Sequence, residues 1–150
     1  MQVLKFGGTS VGSSKNINKV ITILENYSKQ DKVICVVSAF GGITDKLLKA
    51  GNLAKNSDKN YTAEYESIKV KHFKILEALI PKNNTEISKD LDNKLKKLKN
   101  LLDGIFLINE LSLQTSDRLV SFGELLSSFI IAETLKSLNL SAVRKNTQQL

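Results

Sequence analysis

Gln2-Val3-Leu4-Lys5-Phe6-Gly7-Gly8-Thr9-Ser10 runs from a short apolar segment into two adjacent glycines and two hydroxyl residues. Gln2 to Phe6 reads as a strand, and Ser13 or Ser14 is placed to cap a helix behind the glycines. That helix carries an apolar stripe at Ile17, Val20, Ile21, Leu24 and Tyr27, in steps of three and four. Lys32 to Ser38 then repeats the scheme. Its core, Val33-Ile34-Cys35-Val36-Val37, is continuously apolar and rich in β-branched residues, as expected of a parallel strand covered on both faces. A second glycine loop follows, Ala39-Phe40-Gly41-Gly42-Ile43-Thr44, with Thr44 placed to cap a helix from about Asp45 to Ala54. Strand, glycine loop, helix, twice over, predicts an α/β chain with a parallel sheet and right-handed crossovers.

The middle of the chain is helical in pattern. Tyr65, Ile68, His72, Leu76 and Leu79 fall on one face of a helix from about Ala63 to Ile80, which Pro81 follows. A second helix runs from about Glu86 to Ile108, and the two form a hairpin expected to pack on the sheet. A further helix starts near Ser116 or Asp117 and runs to about Leu138. Ser141 to Arg144 reads as a third strand. With no helix after that strand, the 150 residues are expected to be the N-terminal portion, residues 1–150, of a larger catalytic domain.

Composition narrows the functional classes. The net charge is +7, almost all of it from lysine, since Arg118 and Arg144 are the two arginines among 22 basic residues. Lys94, Lys96, Lys97 and Lys99 are the densest cluster. They alternate with Leu91, Leu95, Leu98, Leu101 and Leu102 at helical spacing, which makes them the solvated face of an amphipathic helix. No aromatic residue stands among them to stack a base, so no nucleic-acid partner is expected. No run of eighteen apolar residues occurs, so no membrane-spanning helix is expected. The N-terminus lacks the pattern of a secretory signal. Cys35 is the single cysteine and excludes an internal disulfide, which suits a reducing, cytoplasmic setting. It reads as a small buried hydrophobe, and His72 as a packed core histidine. One His and one Cys cannot make the usual zinc sites, and no metal site is assigned.

Chemistry concentrates at the glycine loops. Gly7 and Gly8 let a ligand approach the backbone without a Cβ in the way. Their amides, with the helix behind them, suit an anion. Lys5 sits one residue before the loop as a point charge, and Thr9 and Ser10 add hydroxyl donors. The loop is not a Walker A motif: Gly7 and Gly12 have the spacing, but Ser13 stands where the lysine belongs. Adjacent glycines also rule out the G-x-G dinucleotide fingerprint. Both glycine loops should lie at the carboxyl edge of the sheet, where open α/β folds bind ligands. Ser38 and Thr44 there could meet a polar substrate. Asp117-Arg118-Leu119-Val120-Ser121-Phe122-Gly123-Glu124 is the third element. Gly123 inside a helix costs about 1 kcal/mol relative to alanine, so it marks close packing or ligand approach. Glu124 beside it suits a substrate ammonium group.

Taken together, Lys5-Phe6-Gly7-Gly8-Thr9-Ser10-Val11, Val37-Ser38-Ala39-Phe40-Gly41-Gly42-Ile43-Thr44 and Arg118-Leu119-Val120-Ser121-Phe122-Gly123-Glu124 resemble the motifs of the aspartokinases, within the amino-acid kinase superfamily. Order and spacing agree across the chain, the lysine-rich hairpin being the least specific part. The resemblance implies a three-layer α/β/α architecture with a parallel sheet, of which this is the N-terminal part. It implies ATP-dependent phosphorylation of the L-aspartate side-chain carboxylate to 4-phospho-L-aspartate, feeding lysine, threonine and methionine synthesis, with Mg²⁺ accompanying ATP. By the same resemblance Lys5 contacts the ATP phosphates and the transferred group, and Gly7, Gly8, Thr9 and Ser10 surround those phosphates. Ser38, Thr44 and Glu124 then hold aspartate, Glu124 facing its α-ammonium. The family's nucleotide half and regulatory domains lie downstream of the region matched here. The resemblance therefore also implies a homo-oligomeric full-length enzyme, some members being fused to homoserine dehydrogenase, and little turnover from 150 residues alone. Two other classes remain: another superfamily kinase, whose substrate would differ, and a basic binding module using the lysine-rich hairpin.

Overall fold

The computed structural model describes residues 1–82 and 84–145. Two strands, β1 (Gln2–Phe6) and β2 (Val33–Val37), pair in parallel, with Gln2 opposite Val33 and Phe6 opposite Val37. Five helices follow this scheme in chain order: α1 (Ser14–Ser28) between the strands, then α2 (Ile43–Lys55), α3 (Tyr61–Leu79), α4 (Thr85–Ile108) and α5 (Leu113–Ser137).

The period-2 alternation of a strand splits the sheet into two unlike faces. Leu4, Phe6, Val33, Cys35 and Val37 face inward and pack on the core. Val3, Lys5, Ile34 and Val36 face outward and are exposed. The expectation of a strand covered on both faces is therefore not met among the described residues. Helices α1 and α5 cover one face. The third strand expected at Ser141–Arg144 is also absent. Asn139 adopts a left-handed conformation (φ +60°), and the Leu140 amide donates back to the Leu135 carbonyl, which closes α5. Residues 141–145 then join no ladder, and among the described residues the sheet holds the two strands β1 and β2.

The helical hairpin of α3 and α4 packs chiefly on α2 and α5 rather than on the sheet, whose inner face α1 and α5 already occupy. Helix α4 buries Leu91, Leu95, Leu98, Leu102 and Ile105 in steps of four and three. Each such side chain contributes about 2 kcal/mol on burial, against at most about 1 kcal/mol for an exposed ion pair. Leucines therefore set the helix's orientation, and the lysines follow outward. Lys96 and Lys97 are exposed, while Lys94 sits over the Phe129 ring of α5, 4.5 Å from its centroid. Among the described residues no helix is long and apolar enough to cross a membrane.

Several boundaries differ from the sequence pattern. Helix α5 begins at Leu113, because Ser112 is its cap and accepts from the Thr115 amide at 3.1 Å. Thr44 is not a cap: α2 starts at Ile43, behind Gly42 at φ +77° with no side-chain hydrogen bond. Tyr27, at the end of the α1 stripe, is exposed.

Candidate active site

Loop 1 (residues 7–13) and loop 2 (residues 38–42) leave the same edge of the sheet and touch. The Ser38 amide donates to the Phe6 carbonyl at 3.0 Å, extending the ladder one residue into the loops. Within loop 1, the Val11 amide returns to the Gly7 carbonyl and the Gly12 amide to that of Thr9. Ser13 then caps α1, accepting from the Asn16 amide at 3.2 Å, so that α1 opens toward this edge. Among the described residues the amides of Gly8, Thr9 and Ser10 donate to no carbonyl or side chain. A Cβ on Gly41 would lie 3.3 Å from Gly12 Cα, so the loops meet backbone to backbone.

Helix α5 meets the same place. A Cβ on Gly123 would lie 2.6 Å from the Ala39 Cβ, closer than side chains pack, so glycine is what admits the helix. Glu124 Oε1 accepts from the Ala39 amide at 3.4 Å, and Ser127 Oγ donates to the Ser38 carbonyl at 2.8 Å. Ala39 thus lies where loop 1, loop 2 and α5 converge.

Of the residues singled out from sequence, Ser38 and Thr44 are half-buried, while Glu124 is exposed beside loop 2. Gly7, Thr9 and Ser10 are exposed on loop 1, and Gly8 is half-buried against the Ala39 carbonyl. Lys5 is not in contact with Glu124. It leaves the outward sheet face, opposite Val36, whereas Glu124 arrives on a helix from the inward face.

Sequence pattern alone passed over Ser127 and Lys71. Ser127 is fully buried one turn after Gly123, and that pair of small residues at i and i+4 was its available signal. Lys71 of α3 donates from Nζ to the Gly41 carbonyl, which no local pattern foretells.

Neither Cys35 nor His72 belongs to this chemistry. Cys35 is half-buried on the inward face, and burial pushes its thiol up to about 11, away from the nucleophilic thiolate. His72 is fully buried, and burial pushes it down to about 4 despite the hydrogen bond of its Nδ1 to the Ile68 carbonyl at 2.7 Å.

A strand-end diglycine loop, a second glycine loop at the same edge and a carboxylate-bearing helix against the second loop define a class. The family model described as "Amino acid kinase family" matches residues 1–147, and the chain belongs to that family. Its relatives are more particular. It is 37% identical over 143 residues to "Aspartokinase 1, chloroplastic" of Arabidopsis thaliana, covering 93% of this chain and 24% of that protein. It is 32% identical over 155 residues to the aspartokinase of Candida albicans, covering 99% and 28%. Among solved structures it is similar to E. coli aspartokinase III in complex with aspartate and ADP, with a TM-score of 0.79 and 28% identity over 94% of this chain and 30% of that one. The chain thus spans about a quarter of the length of these two curated relatives.

Proposed function

We propose that this chain is the N-terminal, aspartate-holding portion of an aspartate kinase catalytic domain, residues 1–150. The enzyme transfers the γ-phosphoryl group of ATP to the side-chain carboxylate of L-aspartate. The observation that carries this is the convergence on Ala39, which holds both glycine loops and Glu124 at one sheet edge. Three relatives that share the chain's length in this region are named aspartokinases, and one binds aspartate and ADP.

The chemistry asks little of the protein beyond placement and charge. An aspartate carboxylate is already ionised at neutral pH, so no general base is needed. One of its oxygens attacks the γ-phosphorus. The new O–P bond forms as the bond to the bridging oxygen breaks, and ADP leaves with that electron pair. Lys5 lies against the transferred group and offsets its charge. The amides of Gly7 and Gly8, with Thr9 and Ser10, hold the phosphates. Ser38 and Thr44 offer hydroxyls to aspartate, and Glu124 faces its ammonium group. Mg²⁺ arrives as the counter-ion of ATP. Among the described residues no group of three His, Cys, Asp or Glu side chains could hold it, so no step here runs through it. The product, 4-phospho-L-aspartate, supplies lysine, threonine and methionine synthesis. The complete enzyme is a homo-oligomer whose further residues complete the nucleotide pocket and add a helical layer on the outward sheet face.

A coupled ADP-release assay on the complete gene product tests this. Turnover should require L-aspartate and should not occur with UMP, which has no ammonium for Glu124. Turnover with UMP, or none with aspartate, rejects it.

A further inference from the structure

Helix α3 sits behind loop 2 and touches it through two consecutive residues. Lys71 donates to the Gly41 carbonyl, thirty positions away in the chain. His72 lies fully buried against the Phe40 ring, with centroids 5.3 Å apart and the rings tilted by 34°. Its Nδ1 is committed to the Ile68 carbonyl on its own helix, so its contact with the loop is packing rather than hydrogen bonding. That leaves Lys71 as the side chain of α3 that grips the loop's backbone.

The point it grips lies in a diglycine turn. Gly41 and Gly42 are adjacent, and Gly42 lies in the left-handed region at φ +77° with no side chain capping α2. Two glycines in sequence lose the most backbone freedom on ordering. Gly41 is also where the loops abut, through Gly12. Lys71 is half-buried and makes no ion pair among the described residues, whereas Lys69, two residues earlier, pairs with Asp92 of α4. A cation withheld from carboxylates and placed on a loop carbonyl makes a charge-assisted hydrogen bond, stronger than a neutral one.

We propose that Lys71 is a positioning residue for aspartate. By fixing the Gly41 carbonyl it holds the turn between Ser38 and Thr44, and with it the spacing of those hydroxyls from Glu124. This rests on the function proposed above. Loop 1, which faces the nucleotide, is ordered by its own turn and by the Ser13 cap and needs no such anchor.

The test compares Lys71→Met, which keeps the stem and removes the donor, with Lys71→Arg, which keeps a donor, in the complete gene product. In Lys71→Met the KM for aspartate should rise about fivefold or more, since small misplacements of a substrate-holding group are costly. The KM for ATP should change less than about twofold and Tm should hold, with Lys71→Arg restoring most of the loss. Hydrogen exchange gives a readout independent of activity: the Ile43 amide, which donates to the Phe40 carbonyl, should exchange faster in Lys71→Met alone. An unchanged Ile43 amide, an unchanged KM for aspartate, or a loss shared equally by both substrates together with a fall in Tm overturns the role of Lys71. A parent enzyme without aspartate-dependent turnover rejects the kinase function instead, and the exchange experiment still decides whether Lys71 anchors the loop.

Discussion

Lys5 leaves the outward sheet face while Glu124 meets Ala39 from α5, and their proposed roles separate kinetically. Lys5 acts on charge that develops during transfer, so Lys5→Ala in the complete gene product should lower kcat about 100-fold with little change in the KM for aspartate. Glu124 acts on a charge the substrate already carries. Glu124→Gln should therefore raise the KM for aspartate on the order of tenfold and leave kcat within a few-fold. Steady-state kinetics of both variants checks this, and equal effects on both parameters in both would erase the assignment. His72 gives a prediction in stability instead. Its folded pKa is lowered from 6.5 to about 4 by burial, so the unfolded chain takes up the proton first as pH falls. The folded state is then penalised progressively between pH 6.5 and 4, by about 2 kcal/mol at pH 5 and about 3 kcal/mol at the lower limit. Urea unfolding at pH 7 and pH 5 should show that loss in the parent, and His72→Leu should lack it. An equal loss in both proteins would place the acid sensitivity elsewhere.

The contact of α5 with loop 2 depends on one missing methyl group. Gly123→Ala gains about 1 kcal/mol of helix propensity but drives its Cβ to 2.6 Å from that of Ala39. Overpacking of this kind costs about 1–3 kcal/mol. The net effect should be destabilising by about 1 kcal/mol, with a rise in the KM for aspartate as loop 2 shifts. Ala39→Gly should relieve Gly123→Ala, so a double-mutant cycle in unfolding free energy should show coupling of about 1 kcal/mol. Additive effects would mean that the two elements are not pressed together. This contact also shows what sequence could and could not supply. Gly7-Gly8, Gly41-Gly42 and the helical periods were legible because they are local: the chemistry of one position constrains its own backbone. The Gly123 anomaly was legible as close packing, but its partner Ala39, 84 positions away, was not. The same limit explains Ser141–Arg144, whose β-like composition found no strand to pair with, and the hairpin, whose apolar faces are satisfied equally by a sheet or by α2. The start of α5 is ambiguous in sequence for a different reason, since Ser112 and Ser116 are both competent caps and the difference lies in the Thr115 amide that Ser112 captures.

At the scale of the whole molecule the sheet is lopsided. Its outward face presents Val3, Ile34 and Val36 at 62%, 46% and 44% exposure, with Lys5 among them. Single exposed apolar residues are ordinary. Three neighbours on one face of a parallel sheet are not, because such sheets are normally covered on both sides. The continuous apolar run of β2 is the sequence signature of that double coverage, although half of it faces water here. The proposed additional layer accounts for both, and it bears on the site, since a layer over Val36 would also enclose the stem of Lys5 and leave its ammonium free only toward the loop edge. The consequence is measurable. Val36→Asp should cost under about 1 kcal/mol in the 150-residue chain, where the position is already wet. In a longer gene product it should cost at least about 2 kcal/mol, because the new carboxylate is buried without a partner. It should also lower kcat there, through Lys5, more than it changes the KM for aspartate. A small and equal cost in both proteins would show that this face stays in water and that Lys5 is oriented by the strand alone.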